Sequence, residues 1–175
     1  MVDVLAILQE ALQIEKQGEE FYEQAAICAG NVLAEKTFRG LAEQERQHLA
    51  YFQAYYDRMS ETGQWPPMDA VVMAAMPIPQ VARSIFDEAI AEVSAGCQVN
   101  EDLKGLYDQA MGFERKSIAL YQEQAESATD PEQKKFFAFL VDQERGHLRI
   151  LDRTQEFLTD PASWYTEDEQ WFATG

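Results

Sequence analysis

Apolar residues return at helical spacing along most of the chain, in long runs separated by turn signals. Val4, Leu5, Leu8, Leu12 and Phe21 make the first stripe. Asp3 can cap it, Gly30 suits the residue after its last turn, and Asn31 suits the cap of the next helix. Phe38, Leu41, Leu49 and Phe52 make the second, from about Val32 towards Glu61, stopped by Thr62-Gly63 and Pro66-Pro67. Asn100 opens a third, with Glu101 and Asp102 set against the helix dipole and Leu103, Tyr107, Ala110, Tyr121 and Ala125 on one face. Asp130-Pro131 opens the fourth, with Gln133 at its third position, and it ends near Leu158, before Asp160-Pro161. Four long amphipathic helices predict an all-α bundle.

Residues 63–99 connect the second and third helices. A link that long can cross from one end of a bundle to the other. Within it Ser84-x-x-Asp87 reads as a capping box for a short helix to about Val93, and Met68, Met73 and Met76 as a cover on the bundle. Residues 1–159 form the bundle with this crossover. Residues 160–175 form a tail whose Trp164, Tyr165, Trp171 and Phe172 predict docking on the bundle or on a partner subunit.

Residues 1–59 and 100–158 align without a gap at a constant offset of 99. Lys36 meets Lys135, Phe38 meets Phe137, Leu41 meets Leu140 and Leu49 meets Leu148. One αα-hairpin is used twice, which predicts a four-helix bundle with an approximate internal twofold axis. Exchange of hairpins between chains would leave the same local sequence, and a homodimer or higher homo-oligomer is expected.

Composition narrows the partners. The net charge is −17, from 14 basic and 31 acidic residues, which argues against nucleic acid and anionic membranes and favours cations. No basic-then-apolar leader opens the sequence, and the longest uncharged apolar stretch, Ala70 to Ala82, is too short to span a bilayer and contains Pro77 and Pro79. A cytoplasmic location is expected, with Cys28 and Cys97 reduced and buried.

The repeat carries the chemistry. Both histidines of the chain lie in it, in Gln44-Glu45-Arg46-Gln47-His48 and Gln143-Glu144-Arg145-Gly146-His147. Positions i and i+3 share a helix face, so each Glu points the same way as its His. Glu15 with Tyr22 and Glu114 with Tyr121 recur at the same offset of 99. Helical spacing puts Glu15, Glu45, Glu114 and Glu144 among core residues of the four helices. A buried unpaired carboxylate costs several kcal/mol, so four cannot be buried together without compensation. Two divalent cations supply it, four positive charges against four negative. One Glu-x-x-His is weak evidence, because surface Glu and stray His are common on helices; two copies in register with two Glu-x6-Tyr pairs are specific. Carboxylate and imidazole donors suit Fe²⁺ or Mn²⁺, with Zn²⁺ as a substitute. Glu15, Glu45, His48, Glu114, Glu144 and His147 are therefore the candidate metal ligands, with Glu45 and Glu144 expected to bridge and Glu15 and Glu114 to be terminal. Tyr22 and Tyr121, two turns beyond Glu15 and Glu114, can hold a ligand carboxylate of a neighbouring helix. Glu19 is expected on the solvated face, with Glu20, Glu23, Glu35 and Glu43 as ordinary exposed acids.

The stretches EKQGEEFY (15–22), AEQERQHL (42–49), FERKSIALY (113–121) and VDQERGHL (141–148) resemble the rubrerythrin branch of the ferritin-like superfamily over nearly the whole chain. The resemblance implies a ferritin-like bundle with two iron ions that react with hydrogen peroxide or dioxygen, as in oxidative-stress defence. It also implies electrons from a carrier such as a rubredoxin. The two cysteines cannot build a rubredoxin iron site, so that carrier is expected to be separate. Rubrerythrins tend to carry an extra Glu three residues after the third-helix Glu. Here Ser117 stands there, and Gly18 at the matching place on the first helix. The remaining six ligands are closer to ferritin-type ferroxidase sites, so the alternatives are an iron-oxidising or iron-storing protein and a non-redox protein stabilised by its metals. The small Gly18 and Ser117 are expected to leave space beside the metals for peroxide, dioxygen or an exogenous carboxylate.

Overall fold

The computed structural model describes residues 4–68 and 101–160. They form α1 (Val4–Cys28), α2 (Val32–Thr62), α3 (Glu101–Ser127) and α4 (Pro131–Thr159). The short helix near Ser84, Met73, Met76, Cys97 and the aromatic tail lie outside the described residues.

The predicted caps at Asn31, Gly63 and Asp130 set the ends they flank, while Asp3 and Asn100 lie outside the described residues. Asn31 is extended (φ −144°, ψ 132°), and its side chain accepts the Ala34 N–H at 3.1 Å. Gly30 before it and Gly63 after α2 take φ of 60° and 66°, the left-handed region glycine adopts without strain. Gly63 N–H donates to the Met59 carbonyl at 2.9 Å. Asp130 accepts from the Glu132 and Gln133 amides at 2.8 and 3.2 Å, with Pro131 in the first turn.

α1 packs on α2 and α3 on α4, and the hairpins meet through α1 against α3 and α2 against α4. This is a ferritin-like four-helix bundle. Tyr22 reaches Glu114 while Tyr121 reaches Glu15, so α1 and α3 run antiparallel. Since α2 is antiparallel to α1, α2 and α3 run parallel, and the link between them must start at one end of the bundle and finish at the other. The predicted crossover follows from these directions alone.

The core divides in two. Tyr22, Phe38, Leu41, Tyr107, Leu151 and their neighbours fill the end beside the α1–α2 turn. Leu8, Phe52, Tyr55, Tyr121, Phe136 and Phe137 fill the end beside the α3–α4 turn. Residues related by the 99-residue repeat, such as Phe38 and Phe137, sit at opposite ends, so the internal twofold exchanges the ends and passes through the layer between them. The α1 stripe is centred on Leu8, Ala11, Glu15, Gly18 and Tyr22, with Val4, Leu5, Leu12 and Phe21 half-buried at its edges. Cys28 is exposed, contrary to expectation. It follows Ile27, which is 68% exposed, and both fall off the face that buries Ala25, Ala26 and Ala29. Among the described residues no helix is long and apolar enough to cross a membrane.

Candidate metal centre

Between the two apolar clusters lies a layer of acids and imidazoles. Glu15 comes from α1, Glu45 and His48 from α2, Glu114 from α3, and Glu144 and His147 from α4. None is more than 4% exposed. Glu15, Glu45, His48 and Glu144 each offer a donor atom within 4.8 Å of the others, and so do Glu45, Glu114, Glu144 and His147. The two groups overlap in Glu45 and Glu144, one carboxylate from each Glu-x-x-His helix. His48 Nδ1 lies 3.1 Å from Glu15, 3.3 Å from Glu45 and 3.2 Å from Glu144. His147 Nδ1 lies 3.1 Å from Glu144, 3.2 Å from Glu45 and 3.6 Å from Glu114. The imidazoles stack with centroids 5.2 Å apart.

At Glu144 and His147 short separation is not pairing. Both carboxylate oxygens of Glu144 and both ring nitrogens of His147 are buried without a hydrogen-bond partner among the described residues. Donor atoms that crowd together yet miss hydrogen-bond geometry are a set that could hold a metal ion. The oxygen and imidazole donors fit Fe²⁺, Mn²⁺ or Zn²⁺.

Without cations the cluster balances its charge with protons. Burial, reinforced by Glu45 and Glu144, pushes Glu15 well above the usual carboxylate range; burial and Glu144 do the same to Glu114. Burial also opposes ionisation of Glu45 and Glu144. At Glu45 the hydrogen bond from Glu15 and the charge of His147 outweigh it, and at Glu144 the charges of His48 and His147 do, so both carboxyls are lowered. Burial disfavours a charged His48 or His147, but Glu144 with Glu15, and Glu144 with Glu114, lift each well above the ordinary histidine range. The raised groups thus favour their protonated forms and the lowered ones their ionised forms, so protons on Glu15, Glu114, His48 and His147 offset the carboxylates of Glu45 and Glu144.

Tyr22 donates to Glu114 and Tyr121 donates to Glu15, each across the α1–α3 seam. Both rings are fully buried, and burial, with the acceptor carboxylate next, pushes both hydroxyls well above their ordinary range, so they remain neutral donors. Each hairpin thus orients the lone Glu of the other.

Glu19 turns away from this layer to Arg46, which it meets at 2.8 Å; Arg46 also pairs with Glu23 and Glu43 at the surface. The expected space at Gly18 is narrower than its lack of a side chain suggests. A Cβ there would lie 3.6 Å from Glu45 Cδ and Cγ, in ordinary contact, so the Glu45 side chain occupies that side and leaves room for a methyl only. Gly18 is a close-approach residue between α1 and Glu45. Ser117 is buried at 7% exposure.

Two groups escaped the sequence reading. Tyr107 lies beside Thr37 and Thr154, all three fully buried. Those threonines donate to the Leu33 and Ile150 carbonyls at 2.8 Å, and the Tyr107 hydroxyl is buried without a hydrogen-bond partner among the described residues. Burial pushes Tyr107 up to about 12 against the opposing pull of Thr154 and Thr37. At the other end Trp65 packs on Tyr55, Phe136 and Phe137 with centroids 4.8, 5.6 and 6.0 Å away. The available signal was where the repeat fails: Thr37 stands opposite Phe136, and Thr154 opposite Tyr55.

The family model described as rubrerythrin matches residues 6–155. Neither a curated protein nor a solved structure matches the chain significantly.

Proposed function

The chain belongs to the rubrerythrin family, and from that premise we propose that it is a non-haem di-iron oxidoreductase reducing hydrogen peroxide or dioxygen. Its physiological role would be oxidative-stress defence in the cytoplasm. The observation that carries the reading is the pair of overlapping buried ligand groups that share Glu45 and Glu144. Glu15 and His48 would complete one ion's shell, Glu114 and His147 the other's. When bound, two ferrous ions supply the two electrons that peroxide reduction needs. The chain's own residues do the rest. Tyr22 and Tyr121 keep Glu114 and Glu15 aimed at the centre while remaining protonated. The apolar clusters at either end keep bulk water from the layer, which strengthens every charge interaction within it. The carboxyls, already adapted to hold protons without metal, receive and return protons as the charge at the centre changes. Electrons would come from a separate carrier of the rubredoxin kind.

A second reading, ferroxidase or iron handling, is favoured by one observation: Ser117 and Gly18 stand where a further carboxylate would complete a rubrerythrin ligand set. Anaerobic Fe²⁺ titration followed by rapid mixing with each oxidant separates the two. Two irons per chain with faster oxidation by peroxide is the expected result. Faster reaction with dioxygen and continued uptake beyond two irons would support iron handling instead. A bound but redox-inert metal would leave a structural role.

A further inference from the structure

We propose that Trp65, Phe137 and Tyr121 form a one-electron relay between the outer end of the bundle and the Glu15 side of the buried carboxyl layer. Tyr121 donates its hydroxyl hydrogen bond to Glu15. Its ring lies 6.2 Å from Phe137, and Phe137 lies 6.0 Å from Trp65, so a single ring separates the two oxidisable side chains. Phe52, 5.5 Å from Tyr121, and Phe136, 5.6 Å from Trp65, pack around this line and exclude water from it. Trp65 is half-buried and borders a cavity of about 400 Å³ lined by Val4, Met59, Gln64, Asp130 and Gln133. Its indole nitrogen is buried without a partner among the described residues.

The symmetry-related line differs. From Glu114 it runs through Tyr22 to Phe38 at 6.2 Å and Tyr107 at 5.0 Å, and Tyr107 is fully buried against two threonines. Among the described residues Trp65 is the only tryptophan, and among them this arm alone leads from the acid layer to an indole near the surface; its mate in the repeat, Trp164, lies outside the described residues.

The step balances within the chain. A one-electron oxidant removes an electron from the Trp65 indole and leaves a radical cation. Tyr121 then gives an electron to Trp65, which is restored, and the hydroxyl proton of Tyr121 passes along its hydrogen bond into the Glu15–Glu45 carboxyl pair, leaving a neutral tyrosyl radical. Delivery of electrons from a carrier to bound iron would run this path in the opposite direction, Trp65 re-reducing Tyr121, and rests on the function proposed above; the relay itself does not require metal and is tested without it.

The test uses full-length metal-free protein with Trp164→Phe and Trp171→Phe, so that Trp65 is the one indole. Azidyl radicals generated by pulse radiolysis oxidise Trp65. The expected result is decay of the indolyl absorbance into tyrosyl absorbance in a first-order phase independent of protein concentration. Tyr121→Phe removes that phase, Phe137→Leu slows it at least about tenfold, and Tyr107→Phe leaves it unchanged. Circular dichroism confirms that each variant is folded, and Phe137→Leu decides the matter should Tyr121→Phe misfold. Absence of an intramolecular phase, its survival in folded Tyr121→Phe, or its loss only in Tyr55→Phe would overturn the relay.

Discussion

At the end of the bundle beside the α1–α2 turn, Thr37, Tyr107 and Thr154 meet in a small polar knot. At the positions 99 residues away, at the opposite end, stand Phe136, Leu8 and Tyr55, packed with Trp65 into an aromatic cluster. The same hairpin thus closes one end with hydroxyls and the other with rings. Between them nothing of the kind happens: the six acids and imidazoles and the two tyrosines keep residue type and position in both copies. The centre obeys a chemical constraint, since a carboxylate lost from one copy leaves charge unbalanced in the other. The ends obey only a volume constraint, and volume can be met by many residues.

The sharpest way to break this comparison is at the centre. Glu45→Ala with Glu144→Ala removes both carboxylates common to the two ligand groups and is expected to abolish stoichiometric Fe²⁺ binding in an anaerobic titration. Its metal-free form should also melt lower than the parent, because the raised His48 and His147 lose the carboxylates that balance them. Retained binding of two irons per chain would refute the shared-ligand geometry.

At the ends the two copies should respond unequally. Phe136→Ala empties the aromatic cluster and is expected to cost about 3–5 kcal/mol in urea denaturation of the metal-free protein. Thr37→Ala, at the matching position, removes a hydroxyl that bonds its own helix and should cost about 1 kcal/mol or less. Equal losses would mean that the ends are not distinct.

Protons sharpen the picture of the centre. His48 and His147 are raised above the ordinary histidine value of 6.5, so the stability they give the metal-free fold is full below pH 6.5 and is lost as pH rises through their folded values. Glu15 and Glu114, raised above 4.5, act in the same sense from pH 4.5 upward. Glu45 and Glu144 act oppositely: their contribution is present above pH 4.5 and is lost as pH falls through their lowered values. The urea midpoint of metal-free protein should therefore fall above pH 6.5 while that of the metal-loaded protein does not. Metal binding should release protons in weak buffer, drawn from the raised groups Glu15, Glu114, His48 and His147.

The smallest effect is expected inside the first hairpin, where α1 meets α2. Gly18→Ala meets Glu45 at 3.6 Å, an ordinary contact, and gains helix propensity. It should stabilise the fold by up to about 1 kcal/mol. Gly18→Glu, too long for a space one methyl deep, should displace Glu45 and weaken metal binding.

The four helices, their caps and the faces they turn inward follow from the sequence by itself. A 3.6-residue period and local capping chemistry are properties of the chain and need no partner. The choice of Glu15, Glu45, His48, Glu114, Glu144 and His147 as a set was also legible, because a repeat that preserves acids on core faces demands a charge-balancing reason. What periodicity cannot give is the rotation of one helix about its axis relative to its neighbours. That rotation decided that Tyr22 meets Glu114 and Tyr121 meets Glu15, and that Glu45 and Glu144 belong to both ligand groups. It also put Cys28 on the outside and filled the side of Gly18 with Glu45. The difference between the ends was decided there as well. A threonine facing a phenylalanine across the repeat is a mismatch in sequence, and only packing shows that one belongs to a polar knot and the other to a line of rings reaching Trp65.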